Sequence, residues 1–253
     1  MIDLVAGYAR GYSAEDLRPF LKSLRGTGYD GGILLFVDGG AVREAQKWGA
    51  TVRPVPPLRM KVHSDRFLCL EEALRGVKCN GVLLTDTRDV YFQTNPAIAL
   101  PAEGLNVFEE DASMTIGTCP YNSLWIQLGY GDEALRKMSK EAISCVGTVC
   151  GDYGSVTYYL RLLRQEVERI QPRTQKPQDQ GAHNYLINDV LDATCWKNED
   201  AEVYTVGYIK PFGRVRVVDG KVVNSRGRAP AVIHQWDRHP NLKQLIEGDT
   251  SER

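Results

Sequence analysis

The sequence predicts an α/β fold: one domain with a mostly parallel central sheet, helices on both faces, and a small β-hairpin region toward the carboxyl end. Three observations predict it. Over the first 90 residues, short apolar runs alternate with segments whose apolar residues recur at helical spacing. The apolar runs show no polar alternation, as expected of strands covered on both faces. Near the end, RVRVVDGKVV places two β-branched runs around Asp219-Gly220, a type I′ hairpin turn.

The elements follow in order. Met1–Gly7 reads as a short buried strand. Ser13 is a good N-cap with Asp16 three residues on, and opens a helix whose Leu17, Phe20, Leu21 and Leu24 share one face. Pro19 lacks the amide that helix needs, which predicts a kink or a late start. Gly26 and Gly28 end it. GILLFV (32–37) is a second strand, stopped by Asp38-Gly39-Gly40. A short helix over 41–48, a strand over 50–55, a helix over 65–76 and a strand over 81–85 complete the pattern. Residues 101–130 have little periodicity and read as an extended, irregular segment. Ser155 caps a helix with Val156, Tyr159, Leu160, Leu163, Val167 and Ile170 on one face. Residues 171–178 read as a mobile loop, and Asp179 opens a helix to about Leu191. A last strand, Ala231–His234, leads to Trp236. With no repeat, low-complexity tract or second core, residues 1–245 read as one domain and 246–253 as a flexible tail.

Composition narrows the function. At 43% hydrophobic and 25% charged residues, the chain can bury a sizeable core. Its 31 basic and 32 acidic residues give no electrostatic case for nucleic acid. No run approaches the ~18 apolar residues of a membrane span. MIDLVAGYARGYS lacks the basic and long apolar regions of a signal peptide. The six cysteines form no CxxC or CxH pattern and read as buried thiols of a reducing compartment, although an even count leaves disulfides open. A cytoplasmic protein is expected.

The stretch that carries chemistry is GVLLTDTRDVYF (81–92). A buried strand ends in Asp86 and Asp89, with Arg88 between them. Parallel sheets bind ligands at the carboxyl ends of their strands. Desolvated charge there needs compensation, and a divalent cation supplies it, since carboxylates are hard ligands suited to magnesium or manganese. A plainer reading makes Asp86 a turn cap and Asp89 the partner of a surface arginine. A haloacid-dehalogenase-type phosphatase also places aspartates at a strand end. It needs Asp-x-Asp, and position 88 is arginine.

LLTDTRDVYFQTNP resembles the metal-binding strand of GT-A-fold glycosyltransferases, with Asn95-Pro96 in place of their closing Asp/Asn-Pro turn. The resemblance implies a single GT-A-like, Rossmann-related domain, with a nucleotide-binding half over 1–96 and an acceptor- and sugar-binding half over 97–245. It implies Mn2+ or Mg2+ and a nucleotide diphosphate sugar as donor. The acids here are spaced Asp-x-x-Asp, so Asp89 matches the second acid of that pattern and Asp86 lies one residue early. Asp86 then serves the metal or the ribose. Ala6, Gly7 and Tyr8 at the first strand end, with Arg10, Asp38 and Arg88, would face the nucleotide. Arg66 would reach the diphosphate. SCVGT (144–148) would line the sugar region, Asp179-Gln180 resembles the acidic pair at the sugar site, and His234 resembles a late histidine ligand, with His239 and Trp236 nearby. The implied reaction moves a hexosyl group to an acceptor hydroxyl on a glycan, a lipid-linked glycan or a protein. Asp179 or Asp152 could be the base of an inverting enzyme; Asp179-Gln180 with His234 is more like retaining relatives. The alternatives are the phosphatase and a non-catalytic nucleotide or sugar binder on the same fold.

Overall fold

Seven strands form the main sheet, and the order in which the chain adds them places the site. A computed structural model describes residues 1–174, 176, 178–210 and 214–250. The chain runs β1 (Leu4–Ala9), α1 (Ala14–Gly26), β2 (Gly32–Val37), α2 (Ala41–Lys47), β3 (Thr51–Pro54), α3 (Val62–Leu74), β4 (Gly81–Thr85), β5 (Val90–Phe92), α4 (Pro96–Ala99), β6 (Leu105–Glu109), α5 (Pro120–Met138), β7 (Ser144–Asp152), α6 (Tyr153–Ile170), α7 (Asp179–Asp189), β8 (Thr194–Trp196), β9 (Val203–Thr205), β10 (Arg216–Val218), β11 (Lys221–Val223), β12 (Val232–His234) and α8 (Pro240–Thr250). The main sheet has the order β3-β2-β1-β4-β7-β6-β8. Only β7 runs against its neighbours; the other pairings are parallel. A minor sheet, β5-β12-β9, sets β12 antiparallel to β5. β10 and β11 form the expected hairpin, with Asp219 at φ 49° and Gly220 at φ 74°, the positive pair a type I′ turn needs.

Alternation along β1 divides the core. Val5 and Ala9 face α1 and α2, while Leu4, Ala6 and Tyr8 face α3, α6 and α7. In α1, Leu17, Phe20, Leu21 and Leu24 have no exposed surface, each contributing ~1.5–3 kcal/mol by burial. Ser13 and Asp16 form the capping box. The helix starts at Ala14 and contains Pro19, so the start is not delayed.

The structure differs from the sequence expectation at several points. Residues 101–130 contain β6 and most of the first part of α5. β6 was obscured by Asn106, a polar residue buried within the apolar run. It donates to the nearby Glu103 O (2.8 Å) and accepts from the distant Trp196 Nε1 (2.9 Å). α5 breaks at Gly131, where φ is 87°, and carries apolar residues on its exposed side, so helical periodicity is blurred. α3 begins at Val62, earlier than expected, and ends before Gly76 (φ 77°). The cap of α6 is Asp152, which accepts from Ser155 N (2.8 Å) and Ser155 Oγ (2.7 Å); Ser155 is the donor. The helix α8 continues through Thr250 and buries Ile246, where a flexible tail was expected; residues 251–253 lie outside the described residues. Within 171–178, a 3-10 turn occupies Gln171–Arg173, and positions 175 and 177 lie outside the described residues. All six cysteines are free thiols, with Cys195 exposed and Cys79 half-buried. Among the described residues no helix is long and apolar enough to cross a membrane.

His183 ties α7 to α6 and β7. Its Nδ1 meets Tyr159 Oη (2.8 Å) and its Nε2 meets Ser144 Oγ (2.9 Å), with the imidazole fully buried. Burial pushes its pKa down to about 3. The unfolded chain therefore takes up this proton first, so the contribution is full above the unfolded pKa of ~6.5 and is lost as pH falls below it. Between about pH 7 and about pH 5, His183 alone is expected to remove ~2 kcal/mol of stability. Urea denaturation of wild type and His183→Gln at both pH values checks this. The variant should lack that share of the pH dependence, and an unchanged dependence would contradict the assignment.

Candidate functional site

The carboxyl ends of β1 and β4 open into a cavity of about 490 Å³. Tyr8, Arg10, Arg66, Asp86, Arg88, Asp89, Glu110, Trp125, Asp179, Gln180 and Gln235 are among the residues that line it.

Three ligand-type side chains meet at its wall because two ladders bring them together. β4 ends at Thr85, and Asp86 N donates across to Gly147 O on β7 (2.8 Å). β12 pairs with β5 so that His234 faces Val90, next to Asp89. Gln235 N then donates to Asp89 O (2.8 Å). Donor atoms of Asp86, Asp89 and His234 all lie within 4.8 Å of one another. His234 Nε2 is 3.5 Å from Asp86 Oδ2 and 3.9 Å from Asp89 Oδ1. It is fully buried and has no hydrogen-bond partner among the described residues. His234 Nδ1 faces Thr148 Oγ1 at 3.3 Å, an outer contact of the kind that presents the other nitrogen to a cation. Burial lowers the pKa of His234, but Cys145, Asp89 and Glu110 outweigh it and the net direction is up.

These residues fit a divalent cation on two counts. One is the orphaned, buried Nε2 between two carboxylates. The other is Gly147: a Cβ there would collide with His234 Cε1 and sit 2.7 Å from Asp86 Oδ2. Two carboxylates and an imidazole suit manganese or magnesium.

Arg66 projects from the second turn of α3 between two acids. Nη1 pairs with Asp86, and Nη2 lies 3.3 Å from Asp179 Oδ2. Asp179 is the first residue of α7 and is buried. Gln180 is held by β7: its Oε1 accepts from Val146 N (2.9 Å) and its Nε2 donates to Ser144 O (2.9 Å). Asn184, one turn on, adds a second pair with Ser144. The β6–β7 register slips between Val107 and Glu109. Amide side chains of α7 thus satisfy backbone groups of β7 beside that slip.

Of the other expected residues, Tyr8, Arg10 and Arg88 line the cavity, whereas Ala6, Gly7, Asp38, Asp152, Trp236 and His239 do not. Ala6 is buried among α3, α6 and α7 and does not line the cavity. Gly7 is required for a different reason than nucleotide approach. A Cβ there would strike the Thr87 methyl and lie 3.0 Å from Thr85 O, so the glycine admits the loop that carries Asp86 and Asp89. Thr87 Oγ1 donates to Tyr8 O (3.1 Å). Asp38 accepts from Gly11 N (2.6 Å) and shapes the turn after β1, outside the cavity lining. Arg10 lines the cavity and donates to Pro56 O (2.9 Å). Arg88 lines it too, but its Nη2 pairs with Asp237 (3.1 Å) and it is half exposed. Asp152 caps α6 opposite Gly81, at the far end of β4. It is about 17 Å of strand from Asp86, so it is no base for chemistry in this cavity. Trp236 packs in the core of the minor sheet, and His239 Nε2 meets Val206 O (2.6 Å).

Glu110 is the residue the sequence reading missed. It follows β6 and is buried, with Oε1 3.4 Å from Gln180 Nε2 and Oε2 without a partner among the described residues. Burial raises its pKa; His234 and Arg238 offset this only in part. The signal was present, since Glu109-Glu110-Asp111 ends an apolar run as Asp86 does.

No family model matches the chain, and no curated protein sequence matches it. Among solved structures, galactosyltransferase LgtC in complex with donor and acceptor sugar analogues matches with a TM-score of 0.60, covering 99% of this chain and 97% of that chain at 13% identity. An active-site mutant of LgtC, glutamine to glutamate, matches with a TM-score of 0.61 at 12% identity and the same coverage. The chain has the GT-A fold. At this identity the likeness is one of fold, and the chemistry of this GT-A protein is read from its own cavity.

Calorimetry with manganese tests the three-residue cluster. Asp89→Ala and Gly147→Ala are each expected to weaken binding by roughly tenfold or more, through loss of a ligand and displacement of His234 respectively. Wild-type affinity in both variants would show that the cluster holds no cation.

Proposed function

We propose that the protein is a metal-dependent glycosyltransferase that moves a sugar from a nucleotide diphosphate sugar to an acceptor hydroxyl. The observation that carries this is the convergence of Arg66, Asp86, Asp89 and Asp179 on one cavity at the carboxyl ends of β1 and β4, with the buried His234 within ligand distance of the two strand-end aspartates. LgtC, which shares the fold, has been solved with donor and acceptor sugar analogues. Residues 1–96 supply the nucleotide end of the cavity and 97–245 the sugar end. The six free thiols suit a reducing, cytoplasmic setting.

Tyr8, Arg10, Val62 and His63 would border the nucleoside. Arg66, already wedged between two carboxylates, would meet the departing diphosphate, where charge develops as the glycosidic bond breaks. When bound, a divalent cation supplies further positive charge against that leaving group. Asp179 and Glu110 would accept hydrogen bonds from sugar hydroxyls, and Trp125 offers a flat wall. Gln180 holds the α7 end against β7, which keeps Asp179 beside Arg66. In the transfer, the bond from sugar C1 to the phosphate oxygen breaks and one from C1 to the acceptor oxygen forms. The hydroxyl proton goes to a phosphate oxygen of the leaving group.

That proton route favours retention. Of the two carboxylates considered as a base, Asp152 is remote and Asp179 is engaged by Arg66. The phosphatase reading loses support, because the residue in the acid/base position, Arg88, turns to Asp237.

A thermal-shift panel of nucleoside diphosphates with manganese, with magnesium and with chelator tests the proposal. One nucleotide is expected to raise Tm by roughly 5–10 °C at a hundredfold excess over its Kd, and only with metal. No shift with any nucleotide in either metal would contradict it. With the donor so identified, proton NMR of the product is expected to show the donor's anomeric configuration. Inversion, together with loss of turnover in Glu110→Gln, would make Glu110 the base and overturn retention.

A further inference from the structure

Helix α5 exposes a stripe of apolar side chains. Tyr121, Leu124 and Leu128 are 57%, 36% and 42% exposed, and Trp125 is half-buried. Their i, i+3, i+4, i+7 spacing puts them on one face, while Asn122, Ile126 and Gly129 point into the fold. The rings of Tyr121 and Trp125 lie 6.0 Å apart and pack on each other. Exposed apolar residues scattered singly are ordinary; a contiguous stripe marks a contact surface.

Two further observations indicate what covers it. Asn122 and Trp125, on the same helix, line the cavity, so the occupant of the stripe sits at the cavity mouth. The 3-10 turn Gln171–Arg173 packs against α5. With the residues after it, this turn adds Arg173 and Lys176, both exposed, and residues 171–178 contain no acid.

We propose that this face of α5, with Arg173 and Lys176, docks on an anionic lipid surface and so brings a lipid-carried acceptor to the cavity. Leucines and aromatic rings suit the boundary between headgroups and acyl chains, with the polar tips of Tyr and Trp at headgroup level. Each cation near an anionic surface adds attraction. The formal net charge of −1 supplies no such attraction, so the local cations carry it. A protein partner or a second copy would also cover apolar side chains; the exposed Arg173 and Lys176 favour an anionic surface instead. The choice of a lipid acceptor rests on the transferase reading.

Co-sedimentation of the full chain with vesicles tests the docking without any nucleotide. Binding is expected to phosphatidylcholine vesicles containing phosphatidylglycerol, weakly or not at all to phosphatidylcholine alone, and to fall with salt. Leu124→Asp/Leu128→Asp and, separately, Arg173→Glu/Lys176→Glu are each expected to weaken binding roughly tenfold or more while leaving the nucleotide-induced Tm shift intact. No binding to the anionic vesicles, or equal binding by the variants, overturns the proposal. A wild-type dimer that Leu124→Asp/Leu128→Asp dissolves overturns it in favour of self-association. A flat nucleotide panel beside intact vesicle binding would instead fail the transferase reading alone.

Discussion

The structure turns on one electrostatic problem: four carboxylates, Asp86, Asp89, Glu110 and Asp179, from three parts of the chain, are drawn into one partly desolvated cavity. Removing such charge from water is costly unless it is paired. Arg66 answers for two of the acids and His234 stands between Asp86 and Asp89. The rest of the site is arranged to keep these groups in contact. Gly7 gives room for Thr87, Gly147 gives room for His234, and the amides of Gln180 and Asn184 fasten α7 to β7 so that Asp179 stays beside Arg66.

The minor sheet is the other half of that arrangement. His234 reaches the acids only because β12 pairs with β5, and β12 is held by a separate small core of Tyr204, Ile233, Trp236, Leu242 and Ile246. Directly after the histidine, Gln235 has φ 63° and buries a side-chain oxygen without a partner. A left-handed non-glycine residue costs energy and persists only where its surroundings hold it. Here the hydrogen bond from Gln235 N to Asp89 O does so. A ligand that engages both Asp86 and His234 would join the two sheets, so its binding would stabilise the folded chain.

Much of the fold was legible because apolar residues in the first 90 positions are segregated cleanly by period, as in β2, β4 and α1. The legibility failed where tertiary partners override local pattern. β6 hides a buried Asn106 that Glu103 and Trp196 satisfy. α5 shows apolar residues on both sides, one for the core and one left uncovered, so no single face stands out. At the site, Asp86 and Asp89 were named from the strand end and Arg66, Asp179 and His234 from the family resemblance, and the five side chains lie together. Asp152 was named for its chemistry alone, and the antiparallel direction of β7, which sequence does not announce, carries it to the far end of β4. Glu110 was overlooked because its strand was.

The central claim is that Asp86, Asp89 and His234 together hold the cation that faces the leaving group. Crystals grown with manganese and the stabilising nucleoside diphosphate, measured at the manganese absorption edge, test it most directly. The account predicts one anomalous peak within coordination distance of His234 Nε2 and of carboxylate oxygens from Asp86 and Asp89, in contact with the diphosphate. A peak bound elsewhere, or nucleotide bound in the cavity with no peak beside these residues, would contradict it.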